Sequence, residues 1–407
     1  MTKKDIIIIG GGASGIICAI KAKENNPDKT VAILEKQNRI GRKLLSTGNG
    51  RCNLFNLDAD NVEKYSGSFK NSLGAAFNKC PVIKLGEEFS KLGLVTYCDS
   101  ENRVYPYSNH AGTVLDILRF RLIELGIDVI CDTKVTSIEK KDVFILKTEE
   151  KKFSCDKLVI STGSPASPKL GSDNSGINLL EMLGHKIEPL SPALCPLEVK
   201  DNTIIPSIKG VRQKGSVALF DGDEFIKSET GEIQFTENSL SGICIFNLSV
   251  KIKGLKNPII SLNISPYNEN YGQLLHVLKI NAQRFKNREI LRFLDGMFIN
   301  KLGIAILKCS GIKKLNEPIS TLKKEDIENI CDTIYDWKFK VEKPTSFDKA
   351  QVCSGGVNGL EIEPKTMESK KIKGLYICGE AVDIVGDCGG FNLNFAFSSG
   401  IIAGESL

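Results

Sequence analysis

Asp5 is followed by four isoleucines, Ile6 to Ile9, an apolar run with no alternation. This is the pattern of a strand buried on both faces in a parallel sheet. The run breaks at Gly10, Gly11 and Gly12. From Ser14 to about Asn25, Ile16, Ile17, Ala19, Ile20 and Ala22 recur at helical spacing, until Asn25, Asn26 and Pro27 stop the pattern. A second apolar run over 31–34 ends at Glu35. Strand, helix and strand in this order predict a βαβ unit at the start of the chain.

Residues 36–108 read as loop-rich, with glycines at 41, 48, 50 and 67, and a helical pattern follows over 111–125. Short strands are expected within 127–160, including 143–146 and 158–160, closing on Ser161, Thr162 and Gly163. The composition shifts near Pro189 to Pro196. From there to about residue 265 the signals are β, at 216–220, 232–235 and 259–264, with Asp221-Gly222 as a hairpin turn. Between 268 and 336 they become helical. Leu274, Leu275, Leu278 and Ile280, then Ile290, Leu291 and Leu294, form apolar stripes that read as core packing. Residues 371–407 return to a buried strand followed by a helix.

Composition narrows the class. A chain of 407 residues exceeds one ordinary core and calls for two or three units. Hydrophobic residues at 41% and charged residues at 25% exclude wholesale disorder, collagen-like repeats and a polytopic membrane protein. The 54 Lys and Arg against 49 Asp and Glu leave +5, taken as spread over a large surface. Nucleic-acid binding, which shows a concentrated basic face, is therefore not expected, and a small-molecule substrate is. Thirteen cysteines stand far apart with no CxxC, which reads as reduced thiols in the cytoplasm. His110, His185 and His276 stand alone, so no metal site is expected. Lys3 and Lys4 before Ile6 imitate a signal peptide, but the apolar run is far too short, and no later stretch has the apolar length of a membrane span.

The chemistry begins at Gly10-x-Gly12-x-x-Gly15, with Ala13 and Ser14 inside it. A strand precedes it, a helix follows it, and Glu35 lies 20 positions after Gly15, with Lys36 beside it. Gly10 permits the turn, Gly12 lets a pyrophosphate approach the backbone, and Gly15 lets helix and sheet pack closely. The helix N-terminus offers free N–H groups to phosphate. Glu35 can accept from both ribose hydroxyls and repels a 2′-phosphate, which favours FAD or NAD over NADP. A ligand-free glycine turn would show the same glycines without this context. Near the other end, the run from Gly374 to Ile377 leads through Cys378 to Gly379 and Glu380, suited to the ribityl and phosphate part of a flavin, and favours FAD. Gly389, Gly390, Phe391 and Asn392 then open an apolar helix whose N-terminus would stabilise negative charge at N1 and the C2 carbonyl of a reduced ring. An ordinary capped helix after a glycine turn reads the same way.

These residues, together with Gly41-Arg42-Lys43-Leu44-Leu45, Thr47-Gly48-Asn49-Gly50-Arg51-Cys52-Asn53 and Thr366-Met367-Glu368-Ser369-Lys370, resemble the BaiN/YhiN-type FAD-dependent oxidoreductases over most of the chain. The resemblance implies an α/β fold with a Rossmann-like FAD domain formed by both chain ends, 1–190 and 346–407. An inserted domain, 191–345, would interrupt it, β-rich over 191–267 and helical over 268–336. It implies an oxidoreductase using FAD with NAD(P)H, some relatives being linked to reduction of carbon–carbon double bonds in steroid-like acids. On the same analogy Arg42 to Asn53 wraps the flavin. Gly48, Asn49 and Gly50 allow close approach, Cys52 lies in the loop, and Asn53 offers an amide to the ring. Arg42, Lys43 or Arg51 neutralises the pyrophosphate, Val135 gives backbone contacts to adenine, and Thr162-Gly163 closes the site. Leu54-Phe55-Asn56 stands where relatives often have a Thr before the last Asn.

Cys52, Cys378 and Cys388 lie in these segments, but without CxxC or a neighbouring His they read as structural. A disulfide reductase would also carry a second glycine fingerprint, and none is present. NAD(P)H is accordingly expected as a transient donor. Arg103, Tyr105 and Tyr107 could border a substrate pocket, though a packed aromatic turn has the same sequence. No residue stands out as general acid or base. The expected activity is hydride transfer through flavin N5. A flavin-dependent RNA-modifying enzyme and a non-catalytic flavin-binding interaction protein are the alternatives.

Overall fold

The computed structural model describes residues 1–200, 203–268 and 270–407. Two compact units share the chain: Met1–Ala193 with Ser346–Leu407, and Leu194–Thr345.

In the first unit the strand Thr2–Ile9 lies at the middle of a sheet. It pairs in parallel with Val31–Leu34 on one side and Lys152–Ile160 on the other, with Ile7 opposite Ala32 and Leu158. Strands on both flanks and layers on both faces bury Ile6 to Ile9 alike, which is why the sequence shows no alternation there. Outward, Asp128–Ile130 adds to Val31–Leu34 and Leu375–Ile377 to Lys152–Ile160, again in parallel. Residues near the end of the chain thus extend a sheet begun by its first residues. Lys152–Ile160 serves two neighbours in turn. Its first half pairs antiparallel with Phe144–Thr148, which continues to Val135–Lys140, and its second half pairs with Leu375–Ile377. Beside Thr2–Ile9 the strand order reverses, the switch point where α/β sheets bind ligands beyond their carboxyl ends.

The helix Ala13–Asn25 covers the sheet and packs against the last helix, Phe391–Glu405. Two glycines set how close they come. A Cβ at Gly400 would lie 2.4 Å from the Ser14 carbonyl oxygen, and one at Gly404 2.5 Å from that of Cys18. This unit is a Rossmann-type α/β domain built from both ends of the chain.

The stretch read as loop-rich holds three helices, Arg42–Ser46, Leu73–Lys79 and Val82–Lys91. They are short, and their glycines and lysines blur the period. The signal was nevertheless there: Val82, Leu85 and Phe89 fall on one face and are buried, Phe89 meeting Phe397 edge-on at 4.8 Å.

The second unit contains a closed antiparallel barrel. Its strands run in the order Leu197–Val199, Ser239–Ser241, Glu224–Phe235, Arg212–Asp221, Pro258–Asn263 and Trp337–Pro344. Gly222, with φ of 62°, turns the long hairpin. Closure depends on Trp337–Pro344, beyond the helical region, where Trp337, Phe339 and Val341 point inward and lysines alternate outward. Helices Tyr271–Arg284, Asn300–Cys309 and Lys324–Tyr335 share this core. Leu274, Leu278, Ile290 and Leu294 are buried as expected of core stripes, whereas Ile280 faces solvent.

Charge is not evenly spread. Residues 271–324 hold eleven Lys and Arg against three Asp and Glu. Backbone hydrogen bonds from Ile290 to Glu317, Leu291 to Leu315, Ile319 to Arg288 and Ser320 to Lys286 lay segment 286–291 along 315–320. Exposed Lys286 and Arg288 are thereby brought beside the segment that leads to exposed Lys323 and Lys324. Among the described residues no helix is long and apolar enough to cross a membrane.

Candidate functional site

At the end of the first strand the chain leaves the sheet through Gly10, at φ of +105°. An added Cβ there would sit 2.6 Å from the Ser161 carbonyl oxygen. Ser161 Oγ in turn donates to the carbonyls of Ile9 and Gly10, both at 3.0 Å, binding the two strand ends together. Gly15 is required by packing, since its Cβ would meet the Gly10 carbonyl oxygen at 2.0 Å. Around Gly12 there is open space, and the helix that begins at Ala13 has no side-chain cap. Its first N–H groups are left for a ligand.

Glu35 is clamped at the end of Val31–Leu34. Its Oε2 accepts the Gly11 N–H at 2.8 Å and its Oε1 the Gln37 N–H at 2.8 Å. Its backbone also exchanges hydrogen bonds with Ile130 and Thr133. Each carboxylate oxygen has capacity for one more donor. Gly11, to which the sequence reading gave no part, is thus a fixed member of the site. The triple glycine was the available signal: a Cβ at Gly11 would strike Ile40 Cγ2 at 2.3 Å. Lys36 pairs with Asp173 at 2.5 Å. Val135 is buried in the sheet opposite Thr148, and the backbone that meets Glu35 is that of Thr133, two residues earlier.

The Thr47-to-Asn53 loop has an unusual backbone. Gly48, Asn49 and Gly50 are consecutively left-handed, at φ of 56°, 55° and 84°, and Cys52 follows at 60°. Arg51 lies over the Tyr105 ring at 5.0 Å and its Nε donates to the Gly48 carbonyl. Asn53 Oδ1 is buried with no hydrogen-bond partner, and the Cβ position of Gly390 lies 2.8 Å from it. The loop therefore lies close beside the start of the last helix, which also has no side-chain cap. Asn392 is engaged otherwise, exchanging two hydrogen bonds of 2.8 Å with the Gly386 backbone, while Phe391 is buried beside Tyr65. Asn56 Nδ2 donates to the Gly389 carbonyl at 3.1 Å.

Lys43 pairs with Glu380 at 2.6 Å, and the other Glu380 oxygen accepts the Cys353 N–H. Gly163 is close by, its Cβ position 3.9 Å from Glu380 Oε2. Gly379 is held by Ser399 and approaches Ser14 so closely that a Cβ would lie 2.4 Å from Ser14 Oγ. Thr162 Oγ1 is buried without a partner. Arg42 donates to Gln37 and to the Lys169 carbonyl. The glycine turn, the 47–53 loop, Thr162-Gly163, Gly379-Glu380 and the last helix are therefore neighbours, while Val135, Lys36 and Asn392 have their side chains committed to the fold.

Arg103 is tied to Asp99 and Glu101, Tyr107 is 73% exposed, and Tyr105 is buried beneath Arg51 and stacked on Tyr97. All thirteen cysteines are present as thiols, and burial pushes Cys52 up to about 12, far from reactive thiolate.

These features fit FAD. A buried orphan oxygen, Asn53 Oδ1, two uncapped helix starts, the open space at Gly12 and a carboxylate with free acceptor capacity surround one switch point.

Comparison with known proteins agrees. The family model described as "HI0933-like protein Rossmann domain" matches residues 4–406. The chain is 35% identical to a 3-dehydro-bile acid delta(4,6)-reductase of Clostridium scindens, over 98% of each chain. It is 25% identical to a ribosomal RNA dihydrouridine synthase of Haemophilus influenzae, again over 98% of each. In fold it is similar to a flavocytochrome c3 fumarate reductase, at a TM-score of 0.51 and 14% identity, covering 100% of this chain and 78% of that one. A 3-ketosteroid-delta4-(5alpha)-dehydrogenase from Rhodococcus jostii gives 0.50 and 12%, covering 100% and 96%. The chain belongs to the HI0933-like family and is an oxidoreductase on the flavoprotein Rossmann fold.

Proposed function

We propose that the protein binds FAD at the switch point and reduces an electron-poor carbon–carbon double bond, with NAD(P)H as a transient electron donor. The observation that carries this is the Glu35 carboxylate, fixed by the Gly11 and Gln37 N–H groups beside the open Gly12 turn. When bound, FAD supplies hydride transfer through N5 of its ring system. The chain supplies binding and field. Glu35 takes the ribose hydroxyls, and Gly12 with the start of Ala13–Asn25 takes the pyrophosphate. Gly379 and Glu380, steadied by Lys43, take the ribityl side. Asn53 offers its orphan oxygen to the ring, and the uncapped start of Phe391–Glu405 places a positive dipole end toward it. The names of both relatives describe saturation of a carbon–carbon double bond, which supports the reaction class. A cytoplasmic setting belongs to this reading and suits thirteen cysteines in the thiol form.

The test is spectroscopic. Purified protein incubated with FAD should show a yellow bound-flavin spectrum, bleach anaerobically with NADH or NADPH, and recolour on adding an enone-bearing steroid acid or uridine-containing RNA. Absence of bound flavin would sink the proposal, and bound flavin that no acceptor reoxidises would leave a flavin-binding protein without this activity.

A second reading concerns what carries the double bond. The basic stretch 271–324, with exposed Lys286, Arg288, Lys323 and Lys324, favours a base held within RNA over a free small molecule. The acceptor comparison above separates the two.

A further inference from the structure

The Thr366-to-Lys370 segment meets a buried histidine. His185 is 3% exposed, with Nδ1 2.8 Å from Glu361 Oε2 and Nε2 3.0 Å from Ser369 Oγ. The order serine, imidazole, carboxylate is that of a hydrolase triad. The rest of the network assigns it a different task. Ser369 is 5% exposed, and its Oγ also accepts N–H groups from Lys371 at 3.1 Å and Ile372 at 3.0 Å. A hydroxyl has one proton and two lone pairs, so Ser369 has no lone pair left for attack.

The same count fixes the protons. Glu361 accepts from the Lys186 N–H at 3.1 Å and from Lys371 Nζ at 2.7 Å; against the burial that would raise its pKa, Lys371, Lys186 and His185 hold it below the usual range. An anion there makes His185 Nδ1 the donor, and Nε2 then accepts the Ser369 proton. One more proton on Nε2 would face an oxygen whose lone pairs are taken. The charged groups around the ring are Glu361 and Lys371, with Lys186 held outward by Glu188. Burial holds the histidine below its ordinary pKa, against the pull of Glu361.

The network has a direct line to the site. Ser369 N–H donates to the Leu375 carbonyl at 2.8 Å and Ile377 N–H to that of Met367 at 3.0 Å, so the arm lies against the strand Leu375–Ile377 that ends at Gly379 and Glu380. We propose that neutral His185 is a positioning residue, latching this arm against the strand that delivers Gly379 and Glu380, and that acidification opens the latch. The cofactor half of the claim rests on the FAD reading above.

The test compares wild type with His185→Gln, whose amide offers one donor and one acceptor but takes no proton. FAD titration and thermal unfolding are measured between about pH 8 and about pH 5.5, spanning the histidine range. Wild-type FAD affinity should fall severalfold on acidification, with a drop in melting temperature, and the variant should lose both dependences. Parallel behaviour of the two proteins, or a flat wild type, overturns the proposal. Should the variant not fold, an NMR titration of the wild-type histidines decides: His185 neutral below about pH 6.5 supports the latch, and protonation at or above that value overturns it. If no FAD binds at any pH, the FAD reading falls while the melting comparison still decides the latch.

Discussion

Glu35 serves as a fold element and, on the proposed reading, also as a ligand group. Its carboxylate replaces solvent for two backbone N–H groups and retains capacity for two hydroxyls. Glu35→Ala should therefore cost both. Hydrogen bonds to a charged group are worth about 1.5–3 kcal/mol, so FAD affinity measured by titration should fall at least about tenfold, with some loss of stability. Unchanged affinity would remove Glu35 from the ribose. Acid should act in the same direction at the buried pair of Lys21 and Glu88, joined at 2.7 Å. Burial alone would raise the Glu88 pKa, but Lys21 and Lys91 bring it below the ordinary value. A depressed carboxyl pKa contributes stability above the unfolded value that is lost as pH falls through the folded one. Wild type should thus lose stability below about pH 4.3, the ordinary glutamate value, more steeply than Glu88→Gln in pH-dependent unfolding.

Between elements, the contact of Ala13–Asn25 with Phe391–Glu405 sets propensity against packing. Gly400→Ala gains about 1 kcal/mol of helix propensity. Its methyl would also meet the Ser14 carbonyl oxygen at 2.4 Å and Ile17 Cγ2 at 2.6 Å, and overpacking a fixed backbone costs about 1–3 kcal/mol. Packing should win, so denaturant unfolding should show Gly400→Ala less stable than wild type; a more stable variant would mean that the helices can separate freely. Legibility followed the same division. Ile6 to Ile9 and the Gly10-to-Gly15 turn were readable because burial and backbone demands there act on neighbours in sequence. The role of Gly11 was not, because Ile40 reaches it by long-range folding, and the commitment of Asn392 to the Gly386 backbone was not, because it depends on how the intervening turn bends back on the helix start. Val82–Lys91 was missed for a milder reason, three apolar contacts diluted by lysines and glutamates. Barrel closure by Trp337–Pro344 depends on partners far away in the chain, Leu197–Val199 and Pro258–Asn263.

For the molecule as a whole, a net charge of +5 conceals an uneven distribution, and residues 271–324 carry much of the basic excess. If the substrate is RNA, retention should weaken steeply with salt. Replacing Lys286 and Arg288 by Glu should reduce the slope of log affinity against log salt by about 0.9 for each lost phosphate contact to duplex and about 0.7 to single strand, while the flavin spectrum stays intact. A slope that does not change would detach this surface from nucleic acid. The strand Leu375–Ile377 has a consequence in time as well as in space. A ribosome releases Thr2–Ile9 and its glycine turn hundreds of residues before Leu375–Ile377, which extends their sheet beside Lys152–Ile160, and the last helix exist. On the FAD reading, the nascent chain can shape the adenosine end of the pocket early, but the flavin end must await the final segments. Cofactor capture then becomes a report that synthesis has run to the last helix, and a product stopped short of Phe391 should emerge unable to retain flavin.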